Sequence, residues 1–174
     1  MTDQEKSFFE QVKEVQAVVD EANTQYKSIA IGDILSITTG RLVSHDGVGG
    51  LYNILDWMTG DSLFTHQLTR ASDVCEPVLK ELFPEIGAVR FPAARYDELT
   101  SGNTTPEYIK EWIFQWVDRQ GERLGEWHDV PKLADGLWES REPIQELRDM
   151  LYGDPDELIL EVENDQADDE SRVD

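Results

Sequence analysis

His66, Arg70 and Asp73 stand at four- and three-residue steps, the spacing that brings side chains to one face of a helix. Joined by Gln67, and by Arg41 from a preceding turn, they could hold an anion or another small ligand. The same residues also suit a buried polar network in which Asp61 and Asp56 satisfy the histidine and the arginine, and this is the stronger reading. Acid–base catalysis could use His66 with Asp61 or Asp56, but no nucleophile motif accompanies them. Cys75 falls on an apolar face and reads as a buried structural thiol. His45-Asp46 precedes a glycine loop and His128-Asp129 lies in a connection, and neither has the paired-ligand spacing of a zinc site. Gly47-Val-Gly-Gly50 lacks the lysine and the strand–loop–helix setting of a phosphate loop. The expectation is a protein without catalytic residues, metal or cofactor.

Charge is the second source of chemistry. Among 174 residues, 37 acids stand against 15 bases, a net charge of −22. Such a chain repels nucleic acid, whose binding depends on Lys and Arg at phosphates, and it is attracted to basic protein surfaces. From Gly153 onward there are 10 acids and one base, so this end carries −9 and leaves −13 for the rest. By contrast, Ser28 to Ser72 holds 6 of the chain's 52 charges in 45 residues, which marks that segment as the heart of the core. Plain solubility or adaptation to a high-salt cytoplasm also explains an acidic chain, and 6 Lys against 9 Arg suits the second.

The elements that position these residues follow from periodicity. Thr2 and Glu5 have capping-box spacing, and Phe8, Val12, Val15, Val19, Ala22 and Tyr26 form one stripe of a first helix, with Glu10 and Glu14 opposite. Ser28 to Asp33 reads as an extended piece leading into a helical turn stopped by Gly40. Gly47 to Gly50 reads as a flexible loop, Leu51 to Met58 as a helix ended by Gly60, and a further helix starts near Leu63. Pro77 is expected to kink or restart that helix. Residues 84–104 read as irregular, with a short strand around Ala88 to Phe91.

The clearest element is a helix capped by Thr104 or Thr105, with Pro106 in its first turn, running to Leu124. Ile109, Trp112, Ile113, Trp116 and Val117 form its apolar stripe; Glu107, Glu111, Asp118 and Glu122 lie opposite. A connection through Trp127, Pro131 and Trp138 leads to a helix over Glu142 to Leu151, then a strand over Leu158 to Val162. The sequence thus predicts a mainly α, single compact domain over residues 1–163 with at most a small strand pair, and an acidic, disordered tail over 164–174. The expected core gathers Phe8, Val12, Ile34, Leu35, Leu51, Ile54, Leu55, Trp57, Leu63, Phe64, Leu68, Ile109, Trp112, Ile113, Trp116 and Leu147. No apolar run reaches the roughly 18 residues of a membrane span. The charged start MTDQEKSFFEQ is unlike a signal peptide, and one cysteine forms no internal disulfide, so a cytoplasmic setting is expected.

The segment from Asp33 to Ala71 resembles an uncharacterised family of small domains from phages, prophages and mobile elements. The shared pattern is carried by Thr38-Thr-Gly-Arg-Leu42, Ser44, Tyr52, Ile54-Leu55, Met58-Thr-Gly-Asp61, Leu63-Phe-Thr-His-Gln-Leu68 and Arg70-Ala71. Asp56 stands where that family has Asn, and Thr69 where it has Pro. The resemblance implies a phage-type setting, in which small acidic inhibitors of host nucleases are common. With it, acids four residues apart on a helix, about 6 Å along the axis, repeat on a scale close to that of phosphates in a nucleic-acid strand. The leading expectation is therefore a nucleic-acid mimic of anti-restriction or anti-CRISPR type that binds a basic, nucleic-acid-binding host protein in the host cytoplasm. Its contacts would be Glu10, Glu14, Glu107, Glu111, Asp118, Glu122, Asp168, Asp169 and Glu170. The alternatives are a binding module using Arg41, Asp61, His66, Gln67 and Arg70, and an acidic accessory protein of a salt-adapted source. A homodimer through Trp127 and Trp138 is a further expectation, although core packing suits them better.

Overall fold

The computed structural model describes residues 25–152. The chain divides into two compact units at Glu139/Ser140, and each is taken by itself. In the first unit the strand β1 (Tyr26–Ala30) runs directly into helix α1 (Ile31–Thr39), followed by α2 (Val48–Thr59) and a 3-10 turn at Thr65–Gln67. Then come α3 (Leu68–Leu82), α4 (Pro84–Gly87), α5 (Ala93–Ser101), α6 (Pro106–Leu124) and β2 (Trp127–Pro131). The second unit contributes α7 (Pro143–Tyr152). The architecture is mainly α with one small antiparallel strand pair, as the sequence predicts.

α1 is the axis of the first unit. Eight of its residues, from Ile31 to Thr38, are buried, and it packs against α2, α3, α4, α6 and β1. A helix buried on nearly every side is stable only when apolar neighbours surround it and its polar side chains are hydrogen-bonded. Around it gather Ile34, Leu35, Ile54, Leu55, Met58, Leu79 and Val117, with Ile29 and Val130 from the strands. The strands pair antiparallel with Ile29 opposite His128, and Trp57 Nε1 donates to the Val130 carbonyl at 2.7 Å, tying α2 to β2.

Several expectations give way. The helix foreseen as ending at Tyr26 lies largely outside the described residues, and Tyr26 itself begins β1. The connection through Trp127 and Pro131 is β2. No strand forms over Ala88 to Phe91. The stretch read as irregular instead holds α4, started by Pro84 at its first position, and α5, which begins after Pro92, so both prolines open helices. α2 begins at Val48, three residues earlier than expected, because Gly47 takes a left-handed φ of 60° and the two glycines after Val48 are helical. α3 begins at Leu68 rather than near Leu63, the turn before it being 3-10.

α3 runs on through Pro77. The amide bond that proline cannot supply would have gone to the carbonyl of Asp73, an exposed residue whose carbonyl water can serve. Of the expected core, Phe64 is 57% exposed and does not join it. Leu51, Trp57 and Ile113 pack against it half-buried, Ile109 and Trp112 are half-buried, and Phe8 and Val12 lie outside the described residues.

In the second unit, Glu142 accepts the Gln145 amide at 2.6 Å and so caps α7, and Gln145 bonds Asp149 one turn on. None of its residues is buried; Leu147, expected in the core, is 36% exposed. The expected strand at Leu158 to Val162 and the acidic tail lie outside the described residues. No helix among the described residues is long and apolar enough to cross a membrane.

Cys75 is fully buried on α3, and burial pushes its thiol from 9.0 up to about 12. An unfolded chain ionises this group first as pH rises past 9.0, so the stability present below that pH is lost progressively toward about 12. A thiol reagent added to folded protein at pH 8 should therefore react only at the rate of unfolding, and reaction as fast as with free cysteine would contradict this burial.

Candidate functional surface

The residues first expected to hold a ligand do not form one site. Arg41 follows α1 and sets its guanidinium 5.9 Å over the Phe91 ring. Arg70, on α3, lies 3.9 Å over Trp138 and donates to the Glu139 carbonyl at 3.0 Å. Asp61 accepts from Trp138 Nε1 at 2.6 Å. Asp61 and Arg70 therefore meet through one tryptophan, and together they fasten residues 132–139 to the α2–α3 corner, helped by Leu133 N to Met58 O at 2.7 Å.

His66 sits in the 3-10 turn, not on the α3 face with Arg70, and its buried Nε2 has no hydrogen-bond partner. Gln67 is buried and accepts the Phe64 amide at 3.1 Å. Asp56, expected with Asp61 to satisfy the histidine and the arginine, accepts the Leu63 amide at 3.0 Å, and Asp73 is exposed. Trp138, considered for a dimer interface, is half-buried and engaged within the chain, whereas Trp127 is 62% exposed. Replacing Arg70 by Ala removes the stacked cation and the bond to Glu139, for an expected loss of about 1–3 kcal/mol. Denaturant unfolding measures the loss, and hydrogen exchange should speed up at the amides of Leu133 and Leu137; unchanged exchange there would mean the clasp does not hold this segment.

A second group runs from the half-buried Lys27 and Asn53 into the interior. Asp33, in the first turn of α1, accepts the Ser44 hydroxyl at 2.6 Å and the Asn53 amide at 3.2 Å, while Lys27 Nζ donates to Asn53 Oδ1 at 2.7 Å. Ser36 donates to the Gly32 carbonyl at 2.7 Å and accepts the amides of Val43 and Ser44 at 3.0 and 2.9 Å. The low-charge segment thus hydrogen-bonds most of its trapped polar groups; the Thr38 hydroxyl and His66 Nε2 are the two buried atoms without a partner among the described residues. The Ser44 hydroxyl gives its proton to Asp33 and accepts the Asp46 amide at 3.1 Å, so it is committed to holding the 42–47 loop. Among the described residues no group of three His, Cys, Asp or Glu could hold a metal.

The face that remains open lies along α6. Thr105 caps this helix by accepting the Tyr108 amide at 3.3 Å, and Gly125 ends it, as the sequence predicts. At 3.6 residues per turn, Glu107, Glu111, Asp118 and Glu122 fall within an arc of about 60° and extend over about 22 Å. All four are exposed. Glu111 meets Gln115 at 3.1 Å and Asp118 meets His45 Nε2 at 3.1 Å; among the described residues none of the four has a Lys or Arg partner. Lys110, Arg119 and Arg123 are on the same helix but on other sides of it, so the separation is by face rather than by net charge.

Two concavities flank His45, whose ring packs 4.3 Å from Phe114. One, of about 530 Å³, lies between the 42–47 loop, α5 and the apolar shoulder of α6. The other, of about 290 Å³, is bounded by Asp118, Glu122, Glu126 and Trp127. The sequence pointed to the acids but did not connect them with His45, considered only as a metal ligand, or with Glu126 and the α5 wall, because nothing in their spacing ties them to α6. His128, the other histidine considered for chemistry, sets Nε2 3.0 Å from the Gly125 carbonyl and its ring 5.3 Å from Phe83.

The class these observations define is a mainly α domain with one strand pair, a filled polar interior and an acidic helical face. Residues 30–89, from the end of β1 through α4, match a family model described as a domain of unknown function (DUF7736). The matched stretch holds the α1 axis, the Asp33–Ser44 network and the 42–47 loop, and stops short of α6. No curated protein and no solved structure matches the chain.

Proposed function

We propose that this protein binds a basic, nucleic-acid-binding protein and blocks it by presenting carboxylates where phosphates would sit. The observation that carries the reading is the row of four exposed carboxylates on α6, within one narrow arc and without Lys or Arg partners. Carboxylates without a Lys or Arg partner in their own chain repel one another, and a basic groove relieves that repulsion on binding. The net charge of −22 steers such an encounter. In the phage setting implied by the TTGRL to LFTHQL resemblance, the target is a host nuclease and the effect is of anti-restriction or anti-CRISPR type. Glu10, Glu14, Asp168, Asp169 and Glu170 lie outside the described residues, so the reading stands on α6.

The test is retention of host proteins on the immobilised chain at low and high salt, followed by elution with duplex DNA. Basic nucleic-acid-binding proteins should be retained at low salt, released by DNA, and lost when Glu107, Glu111 and Glu122 become Gln and Asp118 becomes Asn. Because these side chains are exposed, the substitutions should leave thermal unfolding within about 0.5 kcal/mol of the parent. Retention that survives the four substitutions overturns the reading. So does a chain that retains nothing while added salt raises its melting temperature, since that behaviour belongs to salt adaptation.

A further inference from the structure

The acid row accounts for charge alone, yet the groove beside it is apolar. Leu42 stands 53% exposed at its mouth, and Tyr96 of α5 faces Ile109, Ile113 and Phe114 of α6 across about 530 Å³. That volume falls within the range of pockets that hold a small ligand. On α6 the order around the helix is Ile109 and Ile113, then Lys110, then Phe114, then the acid row, so the apolar wall meets the carboxylates at Phe114 with Lys110 set into it. Asp46 adds a further exposed carboxylate among the residues lining the groove. Lys110 is the one Lys or Arg in that lining, and its ammonium lies 5.3 Å over Phe114, covering that ring's face.

From this arrangement we infer that the groove is a docking site for an amphipathic, lysine- or arginine-bearing helical segment of a partner protein. Its apolar residues would seat between α5 and α6, and its bases would lie over Glu107, Glu111 one turn on and Asp118 two turns further. Charge complementarity selects this occupant: an apolar helix with an acidic flank would be repelled by the row, and a purely basic strand would leave the groove unfilled. The inference rests on the acidic-face reading and adds to it that the partner's contact is a helix with an apolar stripe.

The probe is a fluorescent synthetic leucine–lysine peptide with helical apolar spacing, compared with a scrambled peptide of the same composition, by anisotropy against the full chain. The patterned peptide should bind at least about tenfold more tightly than the scramble. Leu42→Glu should weaken it by about tenfold or more without lowering the melting temperature, as expected for a half-exposed residue. Amide shifts on titration should centre on Leu42, Tyr96, Ile109 and Phe114. Equal binding of patterned and scrambled peptides, or shifts centred elsewhere, overturns the inference.

Two further outcomes separate it from the acidic-face reading. If Glu107→Gln with Glu111→Gln abolishes binding and Leu42→Glu does not, the groove fails and the acidic face stands. If the reverse holds, the groove binds without the carboxylates, so charge does not select its occupant and this inference fails, while the acidic-face reading is decided by its own four substitutions. A chain that sediments as a dimer, and as a monomer once Leu42 is Glu, shows a second copy in the groove and also overturns the inference.

Discussion

Gly50→Ala is expected to lose about 3 kcal/mol of stability or more, although it places the better helix former inside a helix. A Cβ on Gly50 would stand 2.1 Å from Ser44 Oγ and 2.2 Å from Asp33 Oδ1, with Ser44 Cβ at 2.8 Å. None of these atoms can retreat cheaply. Ser44 and Asp33 are buried and bonded to each other, and Ser44 also receives the Asp46 amide. Making room means breaking a satisfied network in the interior, where an unsatisfied polar group costs about 1–3 kcal/mol.

Gly40→Ala is the control. Its Cβ would meet nothing within 4 Å, and the change carries only the backbone strain of a φ of 65°, about 1 kcal/mol. Denaturant unfolding of the two variants should therefore separate them by about 2 kcal/mol. Equal losses would mean that α2 can move off α1 freely, and that the close approach at Gly50 does not hold the two helices.

Ser36→Ala is the second large effect. One buried hydroxyl donates to the Gly32 carbonyl and accepts from both the Val43 and the Ser44 amides. Alanine leaves two buried N–H groups without an acceptor, at about 1–3 kcal/mol each, so the expected loss is about 2–6 kcal/mol. That is a large part of the 5–15 kcal/mol typical of a domain. The damage should be local before it is global. Hydrogen exchange should accelerate at Val43 and Ser44 and then along the 42–47 loop, which carries His45 and Asp46 to the groove. Ser36→Thr, which keeps the hydroxyl, should recover part of the loss. Exchange at Val43 and Ser44 that stays slow in the alanine variant would show that another acceptor, or water, replaces the hydroxyl.

The pairing of these predictions with the surface matters for function. The interior substitutions act through the position of the 42–47 loop, and the exposed acids of α6 act through charge. A partner assay run on both sets separates a surface that binds from a scaffold that shapes it. Loss of binding in Ser36→Ala together with loss of stability traces the effect to the loop, whereas loss without instability in the α6 variants traces it to the carboxylates.

By itself the sequence determined the helical class, the helix from Pro106 to Leu124 with its Thr105 cap and Gly125 stop, the end of α2 at Gly60, and the burial of the low-charge segment around α1. These depend on periodicity, capping and composition, which act within a turn or two of the chain. It also singled out the acids of α6, since their spacing on one helix is local. What it misplaced is long-range. Gly47 to Gly50 read as a loose loop because glycine favours loops. The tertiary structure uses two of these glycines in the first turn of α2, where Gly50 admits the Asp33–Ser44 pair. Arg70 and Asp61 read as members of a polar network with His66, or more weakly as a ligand group, and only the fold brings Trp138 from the far end of the unit to meet both. β1 and β2 pair across about a hundred residues, a match no local pattern encodes. His45 likewise reaches Asp118 and Phe114 only when the loop is fastened by Ser36 and Asp33. A contact's free energy belongs to both partners, and a single sequence records the partners without recording the distance between them.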